Sequence, residues 1–102
     1  MILKIERRNE SQKWWILDDI RKVSVSETLS FSREDFKECK CKTEADICIL
    51  DNFFNSDQEP TDMFLYIRLI CRLSNGTEFS VVFDTIAYLC NDSGKTIEKI
   101  TV

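Results

Sequence analysis

Residues 63–83 run Met-Phe-Leu-Tyr-Ile-Arg-Leu-Ile-Cys-Arg-Leu-Ser-Asn-Gly-Thr-Glu-Phe-Ser-Val-Val-Phe, and no other stretch constrains the fold as much. Side chains two apart in a strand share a face. Leu65, Ile67, Leu69, Cys71 and Leu73 therefore form one apolar row, and Phe64, Tyr66, Arg68, Ile70 and Arg72 form the other. A two-residue Asn-Gly turn would set Leu73 against Glu78 and Ile67 against Asp84, with acids on the apolar face. A three-residue loop, Ser74-Asn75-Gly76, with Gly76 in the left-handed bulge position, shifts the pairing by one. Cys71 then faces Phe79, Leu69 faces Val81, Ile67 faces Phe83 and Arg72 faces Glu78. Each of these pairs is compatible, so the sequence predicts a bulged hairpin with one core face and an outer face bearing arginines beside aromatic rings.

The rest of the chain supplies a core for this hairpin. With 102 residues, 43% of them hydrophobic, it makes a single domain, residues 1–102. Two glycines and one proline argue against a disordered chain. No window of about 18 apolar residues points to a transmembrane helix. Met1-Ile2-Leu3-Lys4-Ile5-Glu6-Arg7 is charged too early for a signal peptide, so the expected compartment is the cytoplasm. Five cysteines, an odd number, then read as free thiols, and the Asn-x-Ser/Thr triplets at Asn9, Asn75 and Asn91 carry no glycan.

Along the chain, strands are expected from Met1 to about Arg8, over residues 13–17 and 20–26 (a meander), over 45–50, in the hairpin, over 86–90 and over 96–102. Asp18-Asp19 breaks the meander, and Val23 and Val25 share a face. Asn91-Asp92-Ser93-Gly94 is a turn, and residues 52–62 are a polar loop broken by Pro60. A helix starting on Ser32, with Asp35 completing a capping box, ends near Cys41. A competing helix capped by Asp84 would be under two turns. The fold class is α+β and mostly β: an antiparallel sheet of seven to eight short strands, a meander plus a long hairpin, with one short helix.

The net charge of −4 is uneven. Residues 43–62 carry six acids and no base, whereas residues 1–22 carry a net +2. This balance disfavours direct nucleic-acid binding, which depends on neutralising phosphates, and no membrane partner is expected. The acidic stretch is a solvated loop, or a surface for a basic protein partner.

The chain has no histidine, which removes the commonest general base and metal ligand. Ser93-Gly94-Lys95-Thr96 matches the end of a P-loop, but the required upstream glycine is Leu89 and no long helix can follow. Cys90 lacks the arginine of a cysteine-phosphatase loop, since that position is Thr96. Cys39, Cys41 and Cys48 lack an evident fourth zinc ligand, so no metal or cofactor is expected. Trp14 and Trp15 place one indole on each face of their strand, one for the core and the other either for an interface or ligand or for burial beneath the helix and the neighbouring sheet. Arg68 beside Tyr66 suits a planar anion, while Arg72 has Glu78 and Arg68 has Asp84 as a diagonal ion-pair partner.

The tail Ala87-Tyr88-Leu89-Cys90-Asn91-Asp92-Ser93-Gly94-Lys95-Thr96-Ile97-Glu98-Lys99-Ile100 resembles the C-termini of small accessory proteins of phages and prophages of low-GC Gram-positive bacteria, and Trp15-x-x-Asp18-x-Ile20-x-x-Val23 is similar in style. That resemblance implies an accessory protein that blocks a host defence, by holding a defence protein or by sequestering a nucleotide signal. The expected function is therefore a non-enzymatic binding protein that takes a small anionic, nucleotide-like ligand through Arg68, Tyr66, Trp14, Trp15, Asn91, Asp92 and Lys95. The alternative is an inhibitor that blocks a host protein through Asp57, Glu59 and Asp62. A third reading is an enzyme built on a lone cysteine. Long strands in a small domain leave edges, so a homodimer or higher homo-oligomer is expected.

Overall fold

The computed structural model describes residues 1–32, 46–54 and 62–102. Their elements are β1 (Ile2–Glu6), β2 (Trp14–Leu17), β3 (Ile20–Ser32), β4 (Asp46–Ile49), α1 (Asp51–Phe54), β5 (Met63–Leu73), β6 (Glu78–Phe83), β7 (Ile86–Cys90) and β8 (Thr96–Thr101). The structure is mostly β, as expected, but its eight strands make two four-stranded sheets rather than one. The first has the order β2-β1-β7-β8 and is antiparallel throughout; the second has the order β3-β5-β6-β4. The second is mixed, because β4 runs parallel to β6. The helix expected from Ser32 to Cys41 lies outside the described residues beyond Ser32, which closes β3.

The hairpin has the bulged register. Ile67 faces Phe83, Leu69 faces Val81, Cys71 faces Phe79, and Arg72 faces Glu78. Gly76 closes the turn with φ of +89°, a conformation that costs a residue without a Cβ little. Its amide donates to the Leu73 carbonyl, and the Leu73 amide donates across to the Thr77 carbonyl. Gly94, with φ of +90°, does the same service between β7 and β8. Arg72 pairs with Glu78 at 2.9 Å, as the register requires.

The meander expected over residues 1–26 is corrected. β1 and β2 form a hairpin, but β3 leaves for the second sheet and pairs with β5. The switch happens at Asp18-Asp19, where Asp19 takes a positive φ of 56°. Aspartate tolerates that region better than most residues. Met1 and Ile20 then bond to each other through Ile20 N–H and the Met1 ammonium, and Ser74 N–H donates to the Asp19 carbonyl. The strand break therefore marks a change of sheet.

The two sheets meet through one apolar cluster. Leu3, Ile5, Ala87, Leu89 and Ile100 come from the first sheet; Ile20, Ile49, Ile67, Leu69, Cys71, Val81 and Phe83 come from the second. Burying a side chain such as Leu69 fully stabilises the fold by about 1.5–3 kcal/mol relative to exposure. Leu65 departs from the row expected for it: it is half exposed beside Met63, at a cleft between the start of β5 and the end of β8.

The second sheet is also covered on its other face. Phe64, Tyr66 and Val82 pack with Leu50 and Phe53, and Leu29 joins their edge. Phe53 and Phe64 meet edge to face at 5.3 Å. Residues 52–54, expected to begin a polar loop, instead lie in α1, whose Phe53 is buried. The outer face of the first half of β5, at Phe64 and Tyr66, thus becomes a second, smaller core, while Arg72 farther along the same row stays exposed.

Candidate functional site

Two of the expected ligand residues lie on the covered part of the second sheet. Tyr66 is 3% exposed and Arg68 9%. Arg68 sits opposite Val82, as expected, but its ion-pair partner is Glu27 rather than Asp84, with Nε 2.8 Å from Oε1. The cause is an irregularity in β3: the register against β5 shifts between Val25 and Glu27. An unbroken ladder would put Glu27 against Ile67; the extra residue turns it to Arg68. Arg68 and Tyr66 therefore contribute to the packed second sheet and lie on a different sheet from the other expected ligand residues.

Asp84 serves elsewhere. Its carboxylate accepts from Asn52 N–H at 3.2 Å and Phe53 N–H at 3.0 Å, and its carbonyl accepts from the Asn52 side-chain amide. It caps a helix, but α1 rather than a helix of its own. Asp51 beside it accepts from Arg8 N–H at 2.7 Å and from Arg7 Nε at 3.2 Å. Arg8 also reaches the Asn52 side chain at 2.7 Å, and Thr85 donates to the Glu6 carbonyl. Burial pushes the Asp84 carboxyl above its ordinary value; backbone amides of α1 pull it back and the Asp51 charge adds to the rise. Two neighbouring carboxylates can mark acid–base chemistry. Here both are nearly inaccessible and spend their oxygens on backbone amides and Arg7, which makes this centre the clamp joining the β1–β2 loop, α1 and the β6–β7 corner.

Two of the thiols are enclosed by the fold. Cys71 and Cys90 are buried, and burial pushes the Cys71 thiol up to about 11, far from a reactive thiolate. Cys48 is exposed on β4, while Cys39 and Cys41 lie outside the described residues. Of the acidic trio, Asp62 is exposed just before β5, and Asp57 and Glu59 lie outside the described residues.

The outer face of the first sheet is different. The tryptophans straddle β2 as expected: Trp15, opposite Ile5, packs against the main core. Trp14 lies on the other face, edge to face with Tyr88 at 5.6 Å. One cross-strand row runs Ile16, Lys4, Tyr88, Lys99 across all four strands. The Lys13 ammonium stands 5.4 Å from the Trp14 ring centre, and the Lys99 ammonium 6.0 Å from that of Tyr88. Glu6, on the same face, is paired with Arg8 at 3.3 Å. A groove of about 250 Å³ opens here, lined by Lys4, Trp14, Tyr88, Cys90, Gly94 and Thr96.

The expected turn residues flank this groove in unequal roles. Asn91 Oδ1 accepts from Ser93 N–H, Ser93 Oγ–H and Lys95 N–H, so Asn91 shapes the turn. Asp92 meets the Met1 ammonium at 3.0 Å. Lys95, between the groove-lining Gly94 and Thr96, is exposed. Tyr88, Lys4, Lys13 and Lys99 escaped the sequence reading. Tyr88 alternates with inward Ala87 and Leu89, which signals an outward ring; only the β1–β7 pairing reveals Lys4 beside it.

Among the described residues, no helix is long and apolar enough to cross a membrane. Comparison with protein-family models, curated proteins and solved structures finds no match to this chain.

Proposed function

We propose that this chain is a non-enzymatic binding protein that takes a small planar anion, of nucleotide type, on the outer face of its first sheet. The observation that carries this reading is the Trp14–Tyr88 ring pair with Lys13 and Lys99 over the two rings and Lys4 on the groove floor. Aromatic faces stack on a base whatever its identity, and ammonium groups beside them meet its phosphate. Of the ligand residues expected from sequence, Trp14 and Lys95 stay in this assignment, Asn91 and Asp92 support it through the turn, and Trp15, Tyr66 and Arg68 leave it. The lack of histidine and the burial of Cys71 favour binding over catalysis. Sequestration of a nucleotide signal by a phage-borne accessory protein is the setting in which such a site has a use.

Calorimetric titration with nucleoside monophosphates tests the reading. Heat of binding that disappears in Trp14→Ala and persists in Arg68→Lys is the expected result. A ligand that ignores Trp14, or a flat response across adenine, guanine, cytosine and uracil nucleotides, overturns it.

A further inference from the structure

Trp14 walls two grooves. One is the groove on the sheet face described above. The other, about 350 Å³, lies at the edge strand β2 and is bounded by Arg7, Glu10, Ser11, Gln12, Trp14, Trp15 and Ile16. β2 is the terminal strand of its sheet among the described residues, so nothing described there covers this second groove. The first groove, about 250 Å³, falls below the usual size of a ligand pocket, and the second, about 350 Å³, sits at its lower end, since such pockets usually run from about 300 to 1,000 Å³. Both are lined by the one indole of Trp14, so together they offer two spaces that adjoin a single ring.

We propose that the ligand is a dinucleotide, two bases joined through phosphate, with one ring in each groove and Trp14 between them. This deepens the nucleotide reading and rests on it. Lys13 precedes Trp14 and is exposed, with its ammonium already over the ring that separates the grooves. Its long flexible stem brings the charge to a phosphate spanning that ring. Arg7 is held by Asp51 and Glu10, so it shapes the second groove without offering a free charge. A longer polynucleotide fits less well: the chain carries a net −4, and the lysines placed at this site, Lys4, Lys13 and Lys99, stand around a single ring pair, whereas strand binding draws on a row of phosphate contacts.

The test is titration of the intact chain with AMP, the linear dinucleotide pApA and a long oligoadenylate. The expected result is that pApA binds about thirtyfold tighter than AMP, the worth of one further stacked base. Ser11→Trp, an exposed loop substitution that fills the second groove, lowers the affinity for pApA to that of the native chain for AMP, with an unchanged melting temperature as the folding control; pApA affinity that Ser11→Trp leaves at the native level overturns the use of the second groove. Equal affinity of the native chain for AMP and pApA overturns the dinucleotide proposal while the nucleotide site stands. Binding of neither removes both. An oligoadenylate that binds tighter than pApA at physiological salt overturns the choice of a dinucleotide in favour of a strand.

Discussion

The two sheets carry similar chemistry on their outer faces and use it in opposite ways. The second sheet sets Phe64, Tyr66 and Arg68 on its outer face; the first sets Trp14, Tyr88 and lysines. On the second sheet, Leu50 and the Phe53 of α1 cover the rings, and β3 brings Glu27 to the arginine, so this part of the face is closed. On the first sheet no described element covers the rings, and the cations stand over them rather than against carboxylates. An aromatic–cation face is thus architecture or site according to what the connecting segments deliver to it. Burial of the rings stabilises the fold; under the proposed function, the open rings keep the same apolar area for a ligand.

That contrast can be broken at several points. The largest effect is expected from Phe64→Ala on the closed face, which should cost about 3–5 kcal/mol in urea unfolding. A loss below 1 kcal/mol, on the order of an exposed site, would mean that α1 does not seal this face. Asp84→Ala comes next at about 2–4 kcal/mol, since it leaves two α1 amides without acceptors.

The Asp84 carboxyl also gives this clamp a pH signature. Its pKa is raised in the folded state, so between the ordinary value of 3.8 and that raised value the folded chain holds the proton more tightly than the unfolded chain. Its contribution is most favourable below the ordinary value and falls as pH rises through the window. Asp84→Asn should therefore gain on the native chain as pH leaves the acidic range, measured as the difference in melting temperature. A difference that does not change with pH would indicate an accessible carboxylate.

Breaking the Arg68–Glu27 pair by Arg68→Ala should cost about 2 kcal/mol, less than a fully buried pair because Glu27 is partly exposed. A double-mutant cycle with Glu27→Gln isolates the pair, and it should leave nucleotide titrations untouched. The smallest stability effect belongs to the open face. Trp14→Ala should cost on the order of 1 kcal/mol, and Lys99→Gln or Lys13→Gln less than about 0.5 kcal/mol, while each weakens ligand binding. Open-face substitutions as costly as Phe64→Ala would erase the distinction between the two faces.

Local pairing was legible in the chain. The hairpin register followed from asking which offset keeps Glu78 and Asp84 off the row of Ile67, Leu69 and Cys71, and Gly76 and Gly94 mark their turns by the backbone they permit. The break at Asp18-Asp19 was visible as well, but its meaning was not. Nothing nearby in sequence says that β3 will cross to another sheet, because its partner β5 begins about 30 residues later. Arg68 was misassigned for a related reason: a one-residue irregularity in β3 decides whether Glu27 reaches it, and alternation patterns do not register such an irregularity.

By itself the sequence determined what neighbouring residues dictate to one another: a mostly β chain, a bulged long hairpin, turns at the glycines, one tryptophan on each side of β2, and chemistry without histidine. Only the tertiary structure decided which aromatic face is closed and which is open. That depends on contacts between segments far apart in the chain, α1 on β5 and β1 on β7. Alternation fixes the side of a strand on which a residue lies; what arrives on that side is settled by the packing of the whole domain.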